Sequence, residues 1–256
     1  MTTSTRKVAL VTGAAKRLGR AIALALAQRG WDVAVHYNRS AHEAEATVRE
    51  IEALGRSAAK LQCDLSNEAA ARTLLARAAE AMGARISCVV NNASLFDHDS
   101  AADFSLTRLD AHMHANLAAP ILLAQALHEA TPEGAQAVAI NLLDQKLFNL
   151  NPDFLSYTLS KAALHAATTM LAQALAPKLR VVGIAPGITL VSGDQTAEGF
   201  AKAHAKTPLG RSSTPDDVAA SVCFVAENPA ITGATLLVDG GQHLIPSQRD
   251  VMFIAQ

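Results

Sequence analysis

The sequence predicts a single-domain α/β fold of the doubly wound class, a seven-stranded, mostly parallel sheet with helices on both faces. Three observations carry that prediction. Short apolar runs alternate regularly with alanine-rich helical stretches along the chain, the pattern of parallel strands joined by crossover helices. The runs are uniformly apolar rather than alternating, as strands covered on both faces are. No internal repeat or long Pro/Gly/Ser linker divides the 256 residues, a length that fits one large α/β domain.

Val8–Val11 reads as the first buried strand and Arg17–Arg29 as the first helix. A strand at Val33–His36 precedes a helix from about Ala41 to Leu54. The third strand is Ala58–Gln62, with a helix from about Glu68 to Met82. Ile86–Val90 is the fourth strand, and Leu106–His128 is mostly helical. Ala137–Asn141 is the fifth, followed by a long helix over Phe154–Ala176. Val181–Ala185 and Thr235–Val238 complete the sheet. The rhythm breaks between Pro186 and Pro215, which holds Gly187, Gly193, Gly199, Pro208 and Gly210 and a short helical pattern near Ala197–Lys206. A long excursion after a strand reads as a lid or substrate loop, here about 187–214, or as a plain surface loop.

Composition narrows the function. Hydrophobic residues make up 50% and aromatics only 4%, so the core is built from Ala, Val, Leu and Ile. A formal net charge of −1 gives no bias toward nucleic acid or acidic membranes. Cys63, Cys88 and Cys223 form no CxxC pair, and the nine histidines show no metal-ligand spacing, so no metal site is expected. The polar N-terminus does not read as a signal peptide, and no apolar run approaches a membrane span. The expectation is a cytoplasmic protein acting on a small molecule.

Three constellations point to chemistry. The first β-α turn reads Thr12-Gly13-Ala14-Ala15-Lys16-Arg17-Leu18-Gly19. Glycines there allow a tight turn at a helix N-terminus, whose free N–H groups and dipole suit a dinucleotide pyrophosphate. The second strand runs into His36-Tyr37-Asn38-Arg39-Ser40 with no acid at its end. Cationic and hydroxyl donors from His36, Arg39 and Ser40, with Arg17 approaching from the first turn, suit a ribose 2′-phosphate; the other reading is a solvated basic loop. Tyr157 and Lys161 lie four residues apart on a helix and therefore on one face. An ammonium beside a phenol pulls its pKa toward the working range, which makes Tyr157 a candidate proton donor. The same spacing also fits an amphipathic helix with a surface lysine.

Thr12-Gly13…Gly19, Asn91-Asn92-Ala93, Tyr157-x-x-x-Lys161, Pro186-Gly187 and Val238-Asp239-Gly240-Gly241 resemble, in order and over essentially the whole chain, the motif series of the classical short-chain dehydrogenases/reductases. The stretches 12–19, His-Tyr-Asn-Arg-Ser (36–40) and Asn-Asn-Ala-Ser-Leu-Phe (91–96), with Asp144 where most members carry serine, are similar to the pteridine reductase branch. The resemblance implies a Rossmann-type fold, NADPH as cofactor and a homotetramer. It implies that Tyr157 delivers a proton, that Lys161 holds the nicotinamide ribose, and that Asn116 organises a relay water. Asp144 would position Tyr157 or relay a proton to a ring nitrogen. The cofactor would contact Gly13, Arg17, Leu18, Gly19, His36, Tyr37, Asn38, Arg39 and Ser40. Asp64 and Leu65 would border its adenine, Asn91, Ala93 and Ser94 its ribose side, and Pro186, Gly187 and Ile188 its nicotinamide. Phe96 would stack on a flat heterocycle, with Asp144 and Tyr157 completing the substrate site. Asp144 also reads as a surface carboxylate, and Phe96 as core packing.

Two other activities stay open from the sequence: reduction of a carbonyl such as a 3-oxoacyl thioester, and NADPH binding without turnover. His112, His114 and Asn116 share one helix face, a weak ligand set. No second aromatic completes a tight ring clamp. The C-terminal tail, 242–256, ends apolar, and the expectation is that it docks at a subunit interface or near a neighbour's pocket.

Overall fold

The computed structural model describes residues 6–191 and 195–254. Gly193 and the end of the tail therefore lie outside the described residues. Seven strands form one sheet: β1 (Val8–Val11), β2 (Asp32–Tyr37), β3 (Ala58–Gln62), β4 (Cys88–Asn91), β5 (Ala137–Leu142), β6 (Leu179–Pro186) and β7 (Thr235–Val238). Their order is β3-β2-β1-β4-β5-β6-β7, and every neighbouring pair is parallel. The central strands β1, β4, β5 and β6 are buried along their whole length, while the edge strands β3 and β7 are only partly covered.

Helices cover both faces. On one side α1 (Arg17–Gln28), α2 (Ala41–Ala53) and α8 (Pro215–Glu227) bury Ile22, Leu26, Val48, Ile51, Val218 and Val222. On the other, α3 (Glu68–Met82), α5 (Ala119–Ala130) and α6 (Leu155–Ala174) bury Leu74, Leu75, Leu123, Leu127 and Ala172. The jump from β1 across to β4 reverses the winding, and ligands bind open sheets of this type beyond the strand ends at that switch point.

Three elements differ from the sequence reading. That reading assigns nothing to Pro215–Glu227, which forms α8; its start, Thr214-Pro215-Asp216-Asp217, is a complete capping box with proline at its first position. The predicted helix over Leu106–His128 is broken into α4 (Leu106–Met113), a π-helical turn at His114–Ala118, and α5. His112 in α4 and Asn116 in that turn are buried while His114 faces solvent, so the three do not share a face. Phe154 is not the first residue of α6 but its N-cap, at φ 55 in the left-handed region. The short helical pattern in the excursion is α7 (Ala197–Ala205).

Candidate active site

The first turn is held by hydrogen bonds to β4's end. The Thr12 hydroxyl accepts from Asn92 N at 2.9 Å and Ala93 N at 3.0 Å and donates to the Val90 carbonyl at 3.2 Å. Asn92 Nδ2 donates back to the Thr12 carbonyl at 2.9 Å. Gly13 sits at φ +63, and a Cβ on Gly19 would lie 2.2 Å from the Gly13 carbonyl oxygen, so neither position tolerates a side chain. Lys16 begins α1 with no side-chain cap, which leaves first-turn N–H groups of that helix for an anion. These features fit a pyrophosphate.

His36 does not join the phosphate set. Its ring is buried, accepting from Gly13 N at Nδ1 (3.0 Å) and donating from Nε2 to the Cys63 carbonyl (3.0 Å). Burial holds its pKa down to about 4, so it is a neutral brace between the first turn and β3's end. Arg17 donates from its guanidinium to the Val191 carbonyl at 2.8 Å and lines the cleft with Tyr157. Asn38 and Arg39 remain exposed at the end of β2, beside half-buried Tyr37, and Ser40 does not use its hydroxyl as a cap. Asp64 is exposed and bonded to Ser66, with its carboxyl held low by that hydroxyl and, more weakly, by Arg39; Leu65 beside it is buried.

Tyr157, Asp144 and Lys161 come together past the end of β5. The Tyr157 hydroxyl donates to Asp144 Oδ2 at 2.8 Å. Lys161 Nζ donates to the Leu142 carbonyl at 2.7 Å and stands 5.8 Å from the Tyr157 ring centre. Burial pushes the phenol well above its usual value, and the Asp144 charge adds to the rise. Burial likewise raises Asp144, partly offset by the Lys146 N–H and the Tyr157 hydroxyl, and lowers Lys161 to about 8. The expected downward pull of Lys161 on Tyr157 is therefore overturned. Burial first, and then a carboxylate in direct hydrogen bond, push the phenol up, while the Lys161 ammonium is turned toward the Leu142 carbonyl.

Around this group stands a cleft of about 250 Å³. Leu18, Ser94, Phe96, Pro186, Gly187 and Ile188 line it, as expected. Asn91 does not: it is buried, and its Nδ2 donates to Asn141 across the β4–β5 register at 2.8 Å. Ala93 packs beneath the first turn, against Gly13. Asn116 is fully engaged with protein, accepting from Leu95 N and Ser94 Oγ and donating to the Leu95 carbonyl and Ser160 Oγ. It clamps the loop after β4, and no position of its amide is left for a relay water. Phe96 stacks on Phe154 at 4.3 Å and meets Tyr157 edge-on at 4.7 Å, yet stays 39% exposed. One face of Phe96 packs on Phe154, and the ring still borders the cleft.

The sequence reading missed several lining residues. Gln242 follows β7 and accepts from Ile188 N at 3.0 Å, fixing the backbone after β6. Gln145 and Gln195 line the cleft with buried side-chain atoms that find no hydrogen-bond partner among the described residues. The tail supplies Asp250, Val251 and Met252 to the cleft of its own chain. Arg249 pairs with Asp153 at 2.8 Å, Asp250 with buried Lys146 at 3.3 Å, and Phe253 stacks on Phe154 at 6.1 Å. The tail is thus anchored on its own chain, where Asp153 and Lys146 beside α6 provide the complementary charges. Phe154 and Phe253 are the additional aromatics that the sequence did not place.

A family model described as enoyl-(acyl carrier protein) reductase matches residues 13–243. The chain belongs to the short-chain dehydrogenase/reductase family. This reductase fold superimposes on the crystal structure of FolM alternative dihydrofolate reductase 1 from Brucella canis complexed with NADP. The TM-score is 0.90 and the identity 41%, over 95% of this chain and 96% of that one. The short-chain dehydrogenase/reductase is 33% identical to pteridine reductase 1 of Leishmania tarentolae over 286 residues, covering 95% of this chain and 99% of that protein. It is also 33% identical to the 3-oxoacyl-[acyl-carrier-protein] reductase of Synechocystis over 246 residues, covering 94% and 98%. Among the described residues no helix is long and apolar enough to cross a membrane.

Proposed function

We propose that this short-chain dehydrogenase/reductase uses NADPH to reduce a flat, pterin-like nitrogen heterocycle, with Tyr157 as proton donor. The observation that carries the reading is the 2.8 Å hydrogen bond from Tyr157 to a carboxylate, Asp144, at the base of the cleft. A serine hydroxyl there would polarise a carbonyl. A carboxyl group with a raised pKa can instead hold and return a proton for a basic ring nitrogen. Phe96, half-exposed and backed by Phe154, offers a flat apolar face beside the hydroxyl.

The cofactor assignment rests on the acid-free end of β2, where Arg39 and Ser40 would hold a 2′-phosphate, and on the first turn, which would cradle the pyrophosphate. Bound there, the dihydronicotinamide supplies the hydride. Tyr157 then gives its proton to the substrate, and Asp144, whose raised pKa lets it take up a proton from water, passes that proton on to the phenolate. Lys161, whose pKa of about 8 keeps it mostly charged at neutral pH, stabilises the phenolate left on Tyr157. Asp64 and Leu65 would border the adenine. We place the enzyme in a homotetramer on the family pattern, to be checked by its mass in solution.

The second reading is reduction of a 3-oxoacyl thioester, favoured by the similarity to the Synechocystis reductase. NADPH oxidation measured with a dihydropterin and with an acetoacetyl thioester separates the two. Folded, NADPH-binding protein that turns over only the thioester would refute the pterin assignment.

A further inference from the structure

The catalytic helix has no cap of its own. Its N-cap, Phe154, sits in the left-handed region and offers no side-chain hydrogen bond to the first turn. The missing cap comes from Asp99, 57 residues earlier in the chain, in the loop after β4. Asp99 Oδ1 accepts from Ser156 N at 2.9 Å, Oδ2 accepts from the Ser156 hydroxyl, and the Asp99 carbonyl accepts from Leu155 N at 3.2 Å. The residue is 0% exposed, and among the described residues no cation pairs with it. A buried carboxylate without a cation is costly unless hydrogen bonds and a helix N-terminus compensate it, and here they converge on Ser156, next to Tyr157.

The loop carrying Asp99 is fixed in the residues just before it. Asn116 clamps Leu95, and His112 Nε2 accepts from Asp97 N at 3.3 Å. Between them, Phe96 and His98 pack on the Phe154 ring at 4.3 and 5.0 Å. The loop is therefore a strut from the π-helical turn to the first turn of α6. Helix termini fray when their first N–H groups lack partners, and a fray here moves the next side chain, Tyr157.

We propose that Asp99 is a positioning residue, which caps α6 across the fold and so sets the Tyr157 hydroxyl against Asp144. The inference rests on Tyr157 as the proton donor, but its test also reads Tyr157 directly. Tyr37 and Tyr157 are the two tyrosines of the chain. In a Tyr37→Phe background, the ultraviolet absorbance of the phenolate therefore reports Tyr157 alone. Asp99→Ala should lower the midpoint of that titration by about one unit, since the phenol leaves its carboxylate and its buried site.

In the otherwise unchanged enzyme, Asp99→Ala should lower kcat about tenfold, the worth of a lost cap, with NADPH affinity changed less than about twofold. Asp99→Asn, which can still accept from Ser156 N, should recover most of both effects. Well-folded Asp99→Ala with an unmoved Tyr157 titration and unchanged kcat overturns the proposal. Should Asp99→Ala not fold, Ser156→Ala removes only the hydroxyl contact and should shift the titration by a smaller amount in the same direction; no shift is equally fatal. Retained turnover in Tyr157→Phe would sink the proton-donor reading instead, and the titration would still decide whether Asp99 positions Tyr157.

Discussion

The ends of β2 and β5 are built on opposite principles. At the end of β2, Asn38 and Arg39 stand exposed, and Ser40 keeps its hydroxyl out of a cap. At the end of β5, Tyr157 and Lys161 are buried and Asp144 is partly so, and they are hydrogen-bonded, Tyr157 to Asp144 and Lys161 to Leu142. The exposed end can gain contacts only when an anion arrives, so its residues act nearly independently. The buried end is organised beforehand: each pKa is set by burial and by its neighbours, and one change disturbs the others. His36 shows how close the two regimes lie, since it neighbours the exposed group in sequence and belongs to the buried one by structure.

The sharpest way to break this contrast is Tyr157→Phe. It should reduce turnover by at least about a thousandfold while NADPH binding, followed by fluorescence, changes less than about twofold. Comparable losses in both would mean that the two ends are not separable. Asp144→Asn comes next, with kcat lower by about a hundredfold on a dihydropterin. Asp144→Ser should restore reduction of simple ketones before that of pterins, and an enzyme indifferent to either change would leave Asp144 without a role in proton transfer.

His36 tests the buried brace through stability. Its folded pKa of about 4 lies below the ordinary value of 6.5, so the unfolded chain binds the proton more readily between those values. The stability from the neutral ring is therefore fully present above about pH 6.5 and is lost as pH falls toward 4. Urea unfolding at pH 7 and pH 5 should differ by about 2 kcal/mol through this group, and His36→Asn should remove that part of the slope. An unchanged slope would return His36 to the exposed set. The smallest effect belongs to Arg39→Ala, which should weaken NADPH about tenfold and NADH hardly at all, the worth of one charge-assisted hydrogen bond. Equal weakening of both would remove the 2′-phosphate argument.

Much of this was legible beforehand, for identifiable reasons. Parallel strands covered on both faces announce themselves as apolar runs, and the alternation with helices gave every strand within a few residues. The motifs that resembled the family named the cleft residues Leu18, Ser94, Phe96, Asp144, Tyr157, Lys161 and Pro186–Ile188, which the cleft brings together. The misses are of another kind. Helix α8 was overlooked although Thr214-Pro215-Asp216-Asp217 states a helix start in plain terms. Asn91 and His36 carry the expected residue types, but their side chains turn to Asn141 and to Gly13 and Cys63. Sequence gives the chemistry of a side chain but not its rotamer.

By itself, then, the sequence determined the layered α/β architecture, the glycine-bearing first turn, and, through the family resemblance, an aspartate at 144 where a serine is usual. Periodicity and local turn chemistry are short-range properties, and they survive without knowing what lies across the fold. Only the tertiary structure decided how Tyr157 is tuned, because burial and a hydrogen bond from 13 residues away outweigh the lysine one turn along. It alone also showed that the tail walls its own cleft and that Asp99 caps the catalytic helix. These contacts join segments with no pattern between them in the chain, and their strength comes from exclusion of water, which only packing creates.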